Sequence, residues 1–313
     1  MQTPLVTIGI LTYNSSDFIY DALNSVKDQL YPNIELIISD DGSSDDTVDK
    51  VSKWVDIHSK SFVNCEVLTV DKNTGVSANC NRILSKARGL WLKFLAGDDA
   101  LCPDCIREYM AFAALNPQVQ WISSFIQPYK DFFNQQCELC YYKDFYWNLD
   151  TDIYERSAND QLNKIIFGNY ISAPASIYRV EILKNVGGYD EKYNILEDFP
   201  MFIKLLEAGV KCFFCEKILV KQRVGSTNLC SNTQRIFNIK LRRIDFIVTR
   251  DFCFKYYNFT DKLFYILTHL NMELFDVCRL NRNNRFCVSL YNFMNKVVRV
   301  ISMRFNLCNY DKI

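Results

Sequence analysis

The sequence predicts an α/β fold in which helices flank a mostly parallel β-sheet, followed by a helical extension at the C-terminus. Three observations predict it. Through the first hundred residues, short apolar β-branched runs alternate with segments of helical spacing. Polar and acidic residues directly follow the ends of those runs, and from about residue 235 the pattern becomes helical, basic and aromatic. Alternation of this kind is typical of β-α-β units, whose consecutive strands run parallel.

The predicted elements follow one another in regular order. The runs "LVTIGILTYN" and "IELIISDD" predict two strands, and residues 17–30 between them repeat apolar side chains at helical spacing. Residues 65–70 predict a third strand, 77–88 a second helix and 90–96 a fourth strand. The first helix should bury one apolar face, which comprises Ile19, Leu23, Val26 and Leu30.

Composition bounds the class of protein. The chain has 313 residues, of which 49% are hydrophobic and 23% charged, as in one large globular domain or two smaller ones. No run of 18 apolar residues occurs, and the start "MQTPLVTIGILTYN" lacks the basic segment and cleavage site of a secretory signal. We therefore expect a cytoplasmic protein without a transmembrane helix.

Thirteen cysteines raise the question of disulfides or zinc. An odd number, in a chain long enough to bury its own core, favours reduced thiols. A four-cysteine zinc site would need two closely spaced pairs to converge, and no glycine-rich knuckle flanks any pair. We interpret Cys212 and Cys215, which lie in a predicted strand, as buried small hydrophobic residues. The three pairs are Cys102 with Cys105, Cys137 with Cys140, and Cys212 with Cys215.

Charge is unevenly spread along a chain whose formal net charge is zero. Residues 235–313 hold 14 Lys and Arg against 6 Asp and Glu, a balance of +8, which leaves −8 for residues 1–234. Basic helices with interleaved aromatic side chains suit an anionic membrane surface, and they suit equally a helical subdomain that packs on the sheet. Nucleic acid is a weaker candidate partner, because no nucleic-acid-binding module accompanies the charge.

Five side chains fall at or just after the predicted strand ends: Tyr13, Asp40, Asp41, Asp98 and Asp99. Ligands of open α/β sheets bind beyond the carboxyl ends of the strands, so these residues predict a site at one edge. Neither a glycine-rich dinucleotide fingerprint nor a phosphate loop is present. Adjacent carboxylates repel each other, and an acidic site that receives a phosphate needs a divalent cation between the two.

A second acidic pair, Glu197 and Asp198, stands in "LEDFPMFIKLLEAG", where the spacing predicts the start of a helix. The preceding Gly187-Gly188 predicts the end of another helix. The acidic pair either complements the helix dipole or carries chemistry, and sequence position alone leaves both interpretations open.

Six motifs, in order and approximate spacing, resemble those of the family 2 glycosyltransferases, inverting enzymes with the fold called GT-A. They are "ILTYN", "ISDDGSSDDT", "NTGVSANCN", "FLAGDD", "GGYDE" and "LED". The resemblance covers roughly residues 4–230. It implies a GT-A domain at 1–234, with a nucleotide-binding half at 1–100 and an acceptor-binding half at 101–234, ahead of the basic helical region at 235–313.

The resemblance implies how a nucleotide would bind. Tyr13 would stack on the base, commonly uracil, with Thr12 and Asn14 beside it, and Asp40 or Asp41 would accept the ring N–H. Stacking on an aromatic side chain is worth about 1–3 kcal/mol per base in nucleic-acid complexes. A second segment, whose residues also suit a turn and a polar helix face, would pass beneath the nucleotide and sugar. It comprises Asn73, Gly75 and Asn81.

The motif "FLAGDD" takes the place of the family's Asp-x-Asp metal motif, with a departure. Ala96 stands where the family has the first aspartate. The resemblance leaves Asp98, next to Gly97, as the chief ligand of a Mn²⁺ or Mg²⁺ ion. Asp99 and the donor diphosphate would supply further oxygen ligands.

Arg223 stands where many relatives have Arg-x-His on a segment that closes over the diphosphate. Here Val224 and Gly225 follow it, and no histidine is present in the motif. The resemblance therefore implies a donor contact by Arg223, with closure through the Gly225-Ser226 turn.

Asp198 matches the position of the family's general base, and Glu197 would orient or contact the acceptor. An inverting transfer is a single displacement, in which an acceptor hydroxyl attacks the anomeric carbon while its proton is removed. The two histidines, His58 and His269, lie outside every motif, which favours a carboxylate base.

The resemblance implies an inverting glycosyltransferase that moves a sugar from a nucleoside diphosphate donor, commonly a UDP-sugar, to a hydroxyl of a glycan or lipid-linked acceptor. Surface polysaccharide biosynthesis is the implied setting, and the basic region at 235–313 suits a location at the inner face of the cell membrane. Two alternatives stay open. A nucleotidyltransferase would also use paired carboxylates and a metal, although its basic glycine-rich loop is missing. A catalytically inactive scaffold of a polysaccharide assembly complex is suggested by Ala96.

Overall fold

A computed structural model describes residues 3–139, 151–193, 195–224 and 235–304, the last six of them by their backbone alone. The chain divides into two compact units, Met1–Val224 and Gly225–Ile313, which are described separately. The division falls close to the predicted boundary at residue 234. Cys140 and the Gly225-Ser226 turn lie outside the described residues.

Within the described residues of the first unit, eight strands form one sheet. In chain order they are β1 (Val6–Thr12), β2 (Ile34–Asp40), β3 (Asn64–Thr69), β4 (Trp91–Ala96), β5 (Ala100–Leu101), β6 (Trp121–Tyr129), β7 (Ile177–Arg179) and β8 (Phe213–Arg223). Their spatial order is β3-β2-β1-β4-β7-β6-β8-β5.

The described helices of this unit alternate with the strands. They are α1 (Ile19–Lys27), α2 (Thr47–His58), α3 (Val76–Lys86), α4 (Cys105–Leu115), α5 (Ala158–Ile165), α6 (Val180–Asn185) and α7 (Asp198–Glu207). Three short 3₁₀ segments cover Ser59–Ser61, Gln135–Cys137 and Thr151–Glu155.

The predicted α/β fold is confirmed, and the sheet is mixed rather than parallel throughout. Strands β3, β2, β1 and β4 run parallel, as their helical connections require. Strand β7 pairs antiparallel with both β4 and β6, and β5 pairs antiparallel with β8. Because β7 is three residues long and β5 only two, neither produces a periodicity that the sequence could reveal.

Apolar side chains explain why these segments fold onto one another. Ile8 and Ile10 of β1 are fully buried in the same core cluster as Ile19, Leu23 and Val26 of α1. Burying each such side chain contributes about 1.5–3 kcal/mol. The predicted helical face is therefore confirmed at three of its four positions. The prediction that Leu30 belongs to this face was wrong, because α1 ends at Lys27 and Leu30 lies beyond it, exposed to solvent.

The second unit is helical, as predicted. Its described helices are α8 (Ile239–Phe252), α9 (Phe259–Val277) and α10 (Arg285–Arg304). α9 packs against both α8 and α10. A small core forms from Phe237, Ile239, Met272 and Phe275. In the part of the chain that the structure describes, no helix has both the length and the apolar character needed to cross a membrane.

Candidate active site

The register of the sheet brings three strand ends together. Thr12 at the end of β1 pairs with Asp40 at the end of β2, and Leu11 pairs with Ala96 at the end of β4. The backbone N–H of Gly97 donates to the carbonyl oxygen of Leu11 at 2.9 Å. We call this end of the sheet the carboxyl edge. The motifs that follow β1, β2 and β4 meet there, as the strand-end pattern predicted.

Tyr13 presents an accessible ring at the carboxyl edge. Its side chain is 49% exposed, so one face is available for stacking. The next residue, Asn14, adopts a left-handed conformation with φ of 48°, which asparagine tolerates better than most residues. Its Oδ1 accepts a hydrogen bond of 2.8 Å from the backbone N–H of Ser44. Asn14 therefore ties the loop after β1 to the loop after β2.

Asp40 is buried and holds the loop that follows β2. Its Oδ2 accepts from Thr12 Oγ1 at 2.7 Å and from the Ser43 hydroxyl at 2.5 Å. Its Oδ1 accepts from the backbone N–H groups of Gly42 and Ser43. A carboxylate offers about four acceptor positions, and protein donors fill them all. A base N–H would have to displace one of these donors.

Asp41 is equally engaged. It accepts from the Thr74 backbone and hydroxyl, from the Gly75 backbone and from Arg82 Nη2, the last at 2.6 Å. Burial acts to raise the pKa of Asp41, but these hydrogen bonds outweigh burial and the pKa is lowered. Asp41 thus anchors the "NTG" segment, where Asn73 Oδ1 also accepts from Gly75. Recognition of the base by Asp40 or Asp41 stays a prediction.

Asp98 and Asp99, adjacent in sequence, have different surroundings. Asp98 is half-buried, and among the described residues no side chain donates a hydrogen bond to its carboxylate or forms an ion pair with it. Burial raises its pKa. Asp99 is only 4% exposed, and its Oδ1 accepts from the backbone N–H of Arg223 at 2.8 Å. Burial and the neighbouring Asp98 charge raise the pKa of Asp99 to about 8.

The Asp98 carboxylate suits the predicted cation better than Asp99 does. Hard cations prefer carboxylate oxygens and complete their shell with phosphate and water. The described residues contain no group of three or more His, Cys, Asp or Glu placed to hold a metal ion. Asp98 can therefore supply one protein ligand, with the rest coming from a bound diphosphate. Metal coordination by Asp99 stays a prediction, and the burial of the Asp99 carboxylate makes that coordination less favourable.

Arg223 is buried against the Asp98–Asp99 turn instead of being presented to a ligand. It is 3% exposed, and its guanidinium lies between the rings of Phe18 and Phe133, about 4.2 and 4.3 Å from the two centroids. Its Nε donates to the carbonyl oxygen of Asp98 at 2.9 Å, and Nη2 pairs with Asp21 at 2.6 Å. Arg223 fixes the position of the acidic turn in this structure, and the predicted donor contact stays a prediction.

Lys93 is a buried cation near this turn that the sequence analysis missed. Its Nζ donates to the carbonyl oxygens of Phe94 and Pro174, and burial lowers its pKa to about 8. Its charge acts to lower the pKa of Asp99. The only sequence signal was a lysine inside the apolar run "WLKFLA".

Helix α3 connects the carboxyl edge to the second acidic pair. Asn81 in α3 donates from Nδ2 to the Tyr189 carbonyl at 2.9 Å and to the Glu191 carboxylate at 2.8 Å, while its Oδ1 accepts from the Tyr189 N–H at 2.8 Å. Gly188, with φ of 71°, allows this approach, since a Cβ there would lie 2.7 Å from Asn81 Oδ1. Asn81 therefore positions the "GGYDE" motif, and its predicted ligand contact stays a prediction.

We expect Asn81→Ala to reduce the stability of the protein by breaking the contact between α3 and the "GGYDE" motif. The change removes three hydrogen bonds and leaves the Tyr189 backbone groups without these partners, at a cost of about 1–3 kcal/mol in the free energy of unfolding. Urea denaturation measures it. Asn73→Ala, at an exposed position with one local hydrogen bond, is the matched control and should cost less than about 1 kcal/mol. Equal losses in the two variants would contradict the assigned role.

Glu197 and Asp198 stand together at the start of α7. Leu196, just before them, has a left-handed φ of 65°, which is costly for leucine and common at functional sites. Burial, and then the charge of Asp198, raise the pKa of Glu197 to about 7. Burial also raises the pKa of Asp198, although the Phe199 N–H donates to it at 2.8 Å. A raised pKa makes a carboxylate a better proton acceptor, as a general base requires.

The structure thus gathers the predicted residues into sets. Thr12, Tyr13, Gly97 and Asp98 lie at the carboxyl edge, and Asp40, Asp41 and Gly75 hold its loops. Sequence analysis missed Arg82, which bridges Asp41 and Asn79. Its spacing of three from Asn79 on α3 was the available signal.

Comparison with known proteins identifies curated relatives among bacterial glycosyltransferases. WfaP of Escherichia coli, named UDP-Glc:alpha-D-GlcNAc-diphosphoundecaprenol beta-1,3-glucosyltransferase, is 27% identical over 234 residues, which are 73% of this chain and 80% of WfaP. TuaG of Bacillus subtilis, a glycosyltransferase named for teichuronic acid biosynthesis, is 33% identical over 109 residues, which are 35% of this chain and 42% of TuaG. The chain therefore matches less than half the length of TuaG.

Solved structures share the fold. S. aureus TarS 1–349 in complex with UDP-GlcNAc has a TM-score of 0.57 at 18% identity, covering 85% of this chain and 72% of that one. The mannosyltransferase PcManGT from Pyrobaculum calidifontis, in complex with GDP-Man and Mn²⁺, has a TM-score of 0.57 at 15% identity, covering 96% of this chain and 72% of that one. At such identities the likeness shows the GT-A fold alone.

The family is decided by the sequence match. A model of glycosyl transferase family 2 matches residues 7–187, which is more than half of the chain. The match begins in β1 and ends beyond α6, so it spans the carboxyl edge and the "FLAGDD" motif. The chain belongs to glycosyl transferase family 2.

Proposed function

We propose that this family 2 glycosyltransferase is an inverting enzyme that moves a sugar from a UDP-sugar to a hydroxyl of a glycan or lipid-linked acceptor in surface polysaccharide biosynthesis. The observation that carries the proposal is the pair Glu197 and Asp198. Two adjacent acids with raised pKa values stand at the start of α7. Tyr189, in the segment before them, accepts a hydrogen bond from Asn81 of α3, and Gly75, just before α3, donates to Asp41 at the carboxyl edge.

In the proposed reaction the acceptor oxygen attacks the anomeric carbon, the bond from that carbon to the diphosphate breaks, and the acceptor proton goes to Asp198. Glu197 orients the acceptor hydroxyl and, when ionised, raises the basicity of Asp198 by like-charge repulsion. Tyr13 stacks on the nucleotide base. Its half-exposed ring at the carboxyl edge supports that role.

Asp98 is the proposed protein ligand for Mn²⁺ or Mg²⁺. The chemistry supplied there by a bound divalent cation is neutralisation of charge on the departing nucleoside diphosphate. Arg223 and Asp99 keep the Asp98 turn in place through the backbone contacts described above. The turn is thereby preorganised before a donor arrives, which lowers the cost of binding.

The donor and acceptor classes are supported by relatives. WfaP is named for a UDP-glucose donor and a diphosphoundecaprenol-linked acceptor, and TarS has been solved with UDP and with UDP-GlcNAc. We extend to this chain the uridine nucleotide that WfaP and TarS share, the lipid-linked acceptor in the name of WfaP, and the polysaccharide setting in the name of TuaG.

Release of nucleotide from a panel of donors tests the proposal. UDP-glucose, UDP-GlcNAc and GDP-mannose are each incubated with the full chain and Mn²⁺, without acceptor, and nucleoside diphosphate is measured. We expect slow hydrolysis of one UDP-sugar, faster with a matching acceptor. A chain that neither releases nor binds any nucleotide would instead be the inactive scaffold suggested by Ala96.

We further propose that the second unit contacts the inner face of the cell membrane. One face of α9 exposes apolar side chains, each more than a third accessible, at helical spacing: Phe259, Ile266, Leu270, Leu274 and Val277. Basic residues exceed acidic ones by eight over 235–313. An apolar helical face with surrounding positive charge suits an anionic lipid surface, where each basic residue contributes about 1 kcal/mol.

Sedimentation with anionic vesicles checks this contact. We expect the full chain to co-sediment at low salt and less at high salt, and Leu270→Gln/Leu274→Gln to weaken binding about tenfold or more, since two apolar side chains no longer insert. Leu115→Gln, at an exposed leucine of the first unit, is the control and should bind like the wild type. Failure of the wild type to co-sediment at low salt would make α9 a packing element.

A further inference from the structure

The second unit contains an open cavity of about 490 Å³ that plays no part in the proposed transfer. Three arginines line it, opposed by one aspartate, a net charge of +2. Its volume lies within the roughly 300–1,000 Å³ typical of small-molecule sites. The residues that matter here are Arg235, Asp276, Arg279, Asn281, Arg282 and Asn284.

The three guanidinium groups are exposed and uncommitted. In the described ranges, none of Arg235, Arg279 and Arg282 forms a side-chain hydrogen bond or an ion pair. Asp276 is half-buried and lies 3.4 Å from the Asn281 amide and 4.0 Å from Arg243, so part of its charge is offset elsewhere. Guanidinium groups recognise phosphate through paired, charge-assisted hydrogen bonds. The cavity therefore has the chemistry of an anion site.

A buried asparagine holds the walls of the cavity together. Asn281 Oδ1 accepts from the backbone N–H groups of Ile236 and Phe237 at 3.0 and 3.2 Å. Its Nδ2 donates to the Phe237 carbonyl at 3.0 Å. These bonds fasten the segment that carries Arg235 to the turn that carries Arg279 and Arg282. The backbone that carries the arginines is thus held in place before any ligand binds, which reduces the ordering cost of binding.

The backbone at Arg279 is a second observation. α9 ends in a Schellman-type turn, in which the Arg279 N–H donates to the carbonyl oxygen of Asp276 and the Leu280 N–H donates to the carbonyl oxygen of Phe275. Arg279 occupies the left-handed position of that turn, with φ of 59°, where glycine is the usual residue. The chain therefore carries a long cationic side chain at a position that disfavours any side chain. Strain of this kind is common where a residue serves a ligand.

We propose that this cavity binds a phosphate or diphosphate group. The first residue of the 20-residue helix α10, Arg285, follows the lining residue Asn284, so the positive end of the helix dipole adds to the three arginines. The group comes either from a soluble phosphate compound or from a lipid headgroup. The inference does not depend on the proposed transfer, because the cavity and its arginines belong to the second unit alone.

Calorimetry with inorganic pyrophosphate, with EDTA present to exclude metal-dependent binding elsewhere, tests the site on the full chain. We expect saturable binding that weakens with salt, and about tenfold weaker binding in Arg279→Gly and in Arg282→Gln. Arg279→Gly should melt at or above the wild-type temperature, because glycine relieves the left-handed strain. That result would separate lost binding from lost folding.

Arg242→Gln is the matched control, since it removes one exposed arginine of the same unit outside the cavity. It should bind pyrophosphate like the wild type. The inference would be overturned by absence of wild-type binding to pyrophosphate, or by equal losses in Arg242→Gln and Arg279→Gly.

A sedimentation experiment with lipid vesicles distinguishes a lipid headgroup from a soluble compound as the source of the phosphate group. Phosphatidylcholine vesicles containing phosphatidic acid are compared with pure phosphatidylcholine vesicles, using the wild type and Arg279→Gly. Dependence of sedimentation on both phosphatidic acid and Arg279 would support the site with a lipid headgroup as its ligand. Pyrophosphate binding without that dependence would support the site with a soluble ligand.

Discussion

Asp98→Asn should abolish sugar transfer and the dependence of nucleotide binding on Mn²⁺. The Asp98 carboxylate is half-buried at the carboxyl edge, and no described side chain pairs with it, so its charge remains available to a cation. Asparagine removes that charge while keeping the size. Because metal coordination contributes several kcal/mol of transition-state stabilisation, we expect turnover to fall by about 10³-fold or more.

Asp99→Asn is the matched control for this prediction. Asp99 is buried, and its Oδ1 accepts from Arg223, a contact that an asparagine oxygen can reproduce. We expect a smaller loss of turnover and preserved Mn²⁺-dependent binding. Calorimetry of UDP binding with and without Mn²⁺ measures the metal effect, and a transfer assay measures turnover. A folded Asp98→Asn enzyme with full activity would contradict the proposed role of Asp98 as a metal ligand.

The placement of Tyr13 and Asp98 could be predicted from sequence because it follows from periodicity. Parallel strands end at the same side of a sheet, so residues that follow β1 and β4 must meet there. The mixed part of the sheet could not be predicted in this way. The three residues of β7 are too few for a period, and the direction in which they enter beside β4 is set by tertiary packing.

The protein contacts of Arg223 and Asn81 could not be predicted from motif position. Both lie in motifs of the family, and both are occupied by partners distant in sequence. Arg223 meets Asp21 across 202 positions and lies between two rings, whereas Asn81 meets Tyr189 across 108. Neither partner has a local signal, because the contact exists only once the sheet has formed. The contacts of Asp40 and Asp41 could not be predicted for the same reason, since donors from neighbouring loops fill their acceptor positions only in the folded structure.

Asp198→Asn should lower turnover by about 10²–10⁴-fold while sparing donor binding. A general base acts on the acceptor hydroxyl in the transition state, so its loss affects chemistry rather than nucleotide affinity. If Asp198 served only the dipole of α7, the same change would cost about 0.3–1 kcal/mol of stability and leave turnover intact. Calorimetry of UDP binding beside a transfer assay decides between these roles.

Glu197→Gln is the control that keeps the base and removes its charged neighbour. Asp198 must be ionised to accept a proton, and burial raises its pKa, so wild-type activity should fall toward acidic pH. Burial raises the pKa of Asp198, and Glu197 is itself protonated below about pH 7, so Glu197→Gln should leave the acidic limb of the pH profile close to its wild-type position. Stability should respond in the opposite sense. Raised folded-state pKa values give stability that is present at low pH and lost as pH rises through about 7.

Either neutral substitution should therefore raise the free energy of unfolding near pH 8, because it removes one of two buried charges that repel. A variant that gains stability yet loses turnover cannot have lost activity by unfolding. Asp198→Asn is expected to behave so, whereas Glu197→Gln should gain stability and retain most turnover. The reverse pattern, with Asp198→Asn active and Glu197→Gln inactive, would move the base to Glu197.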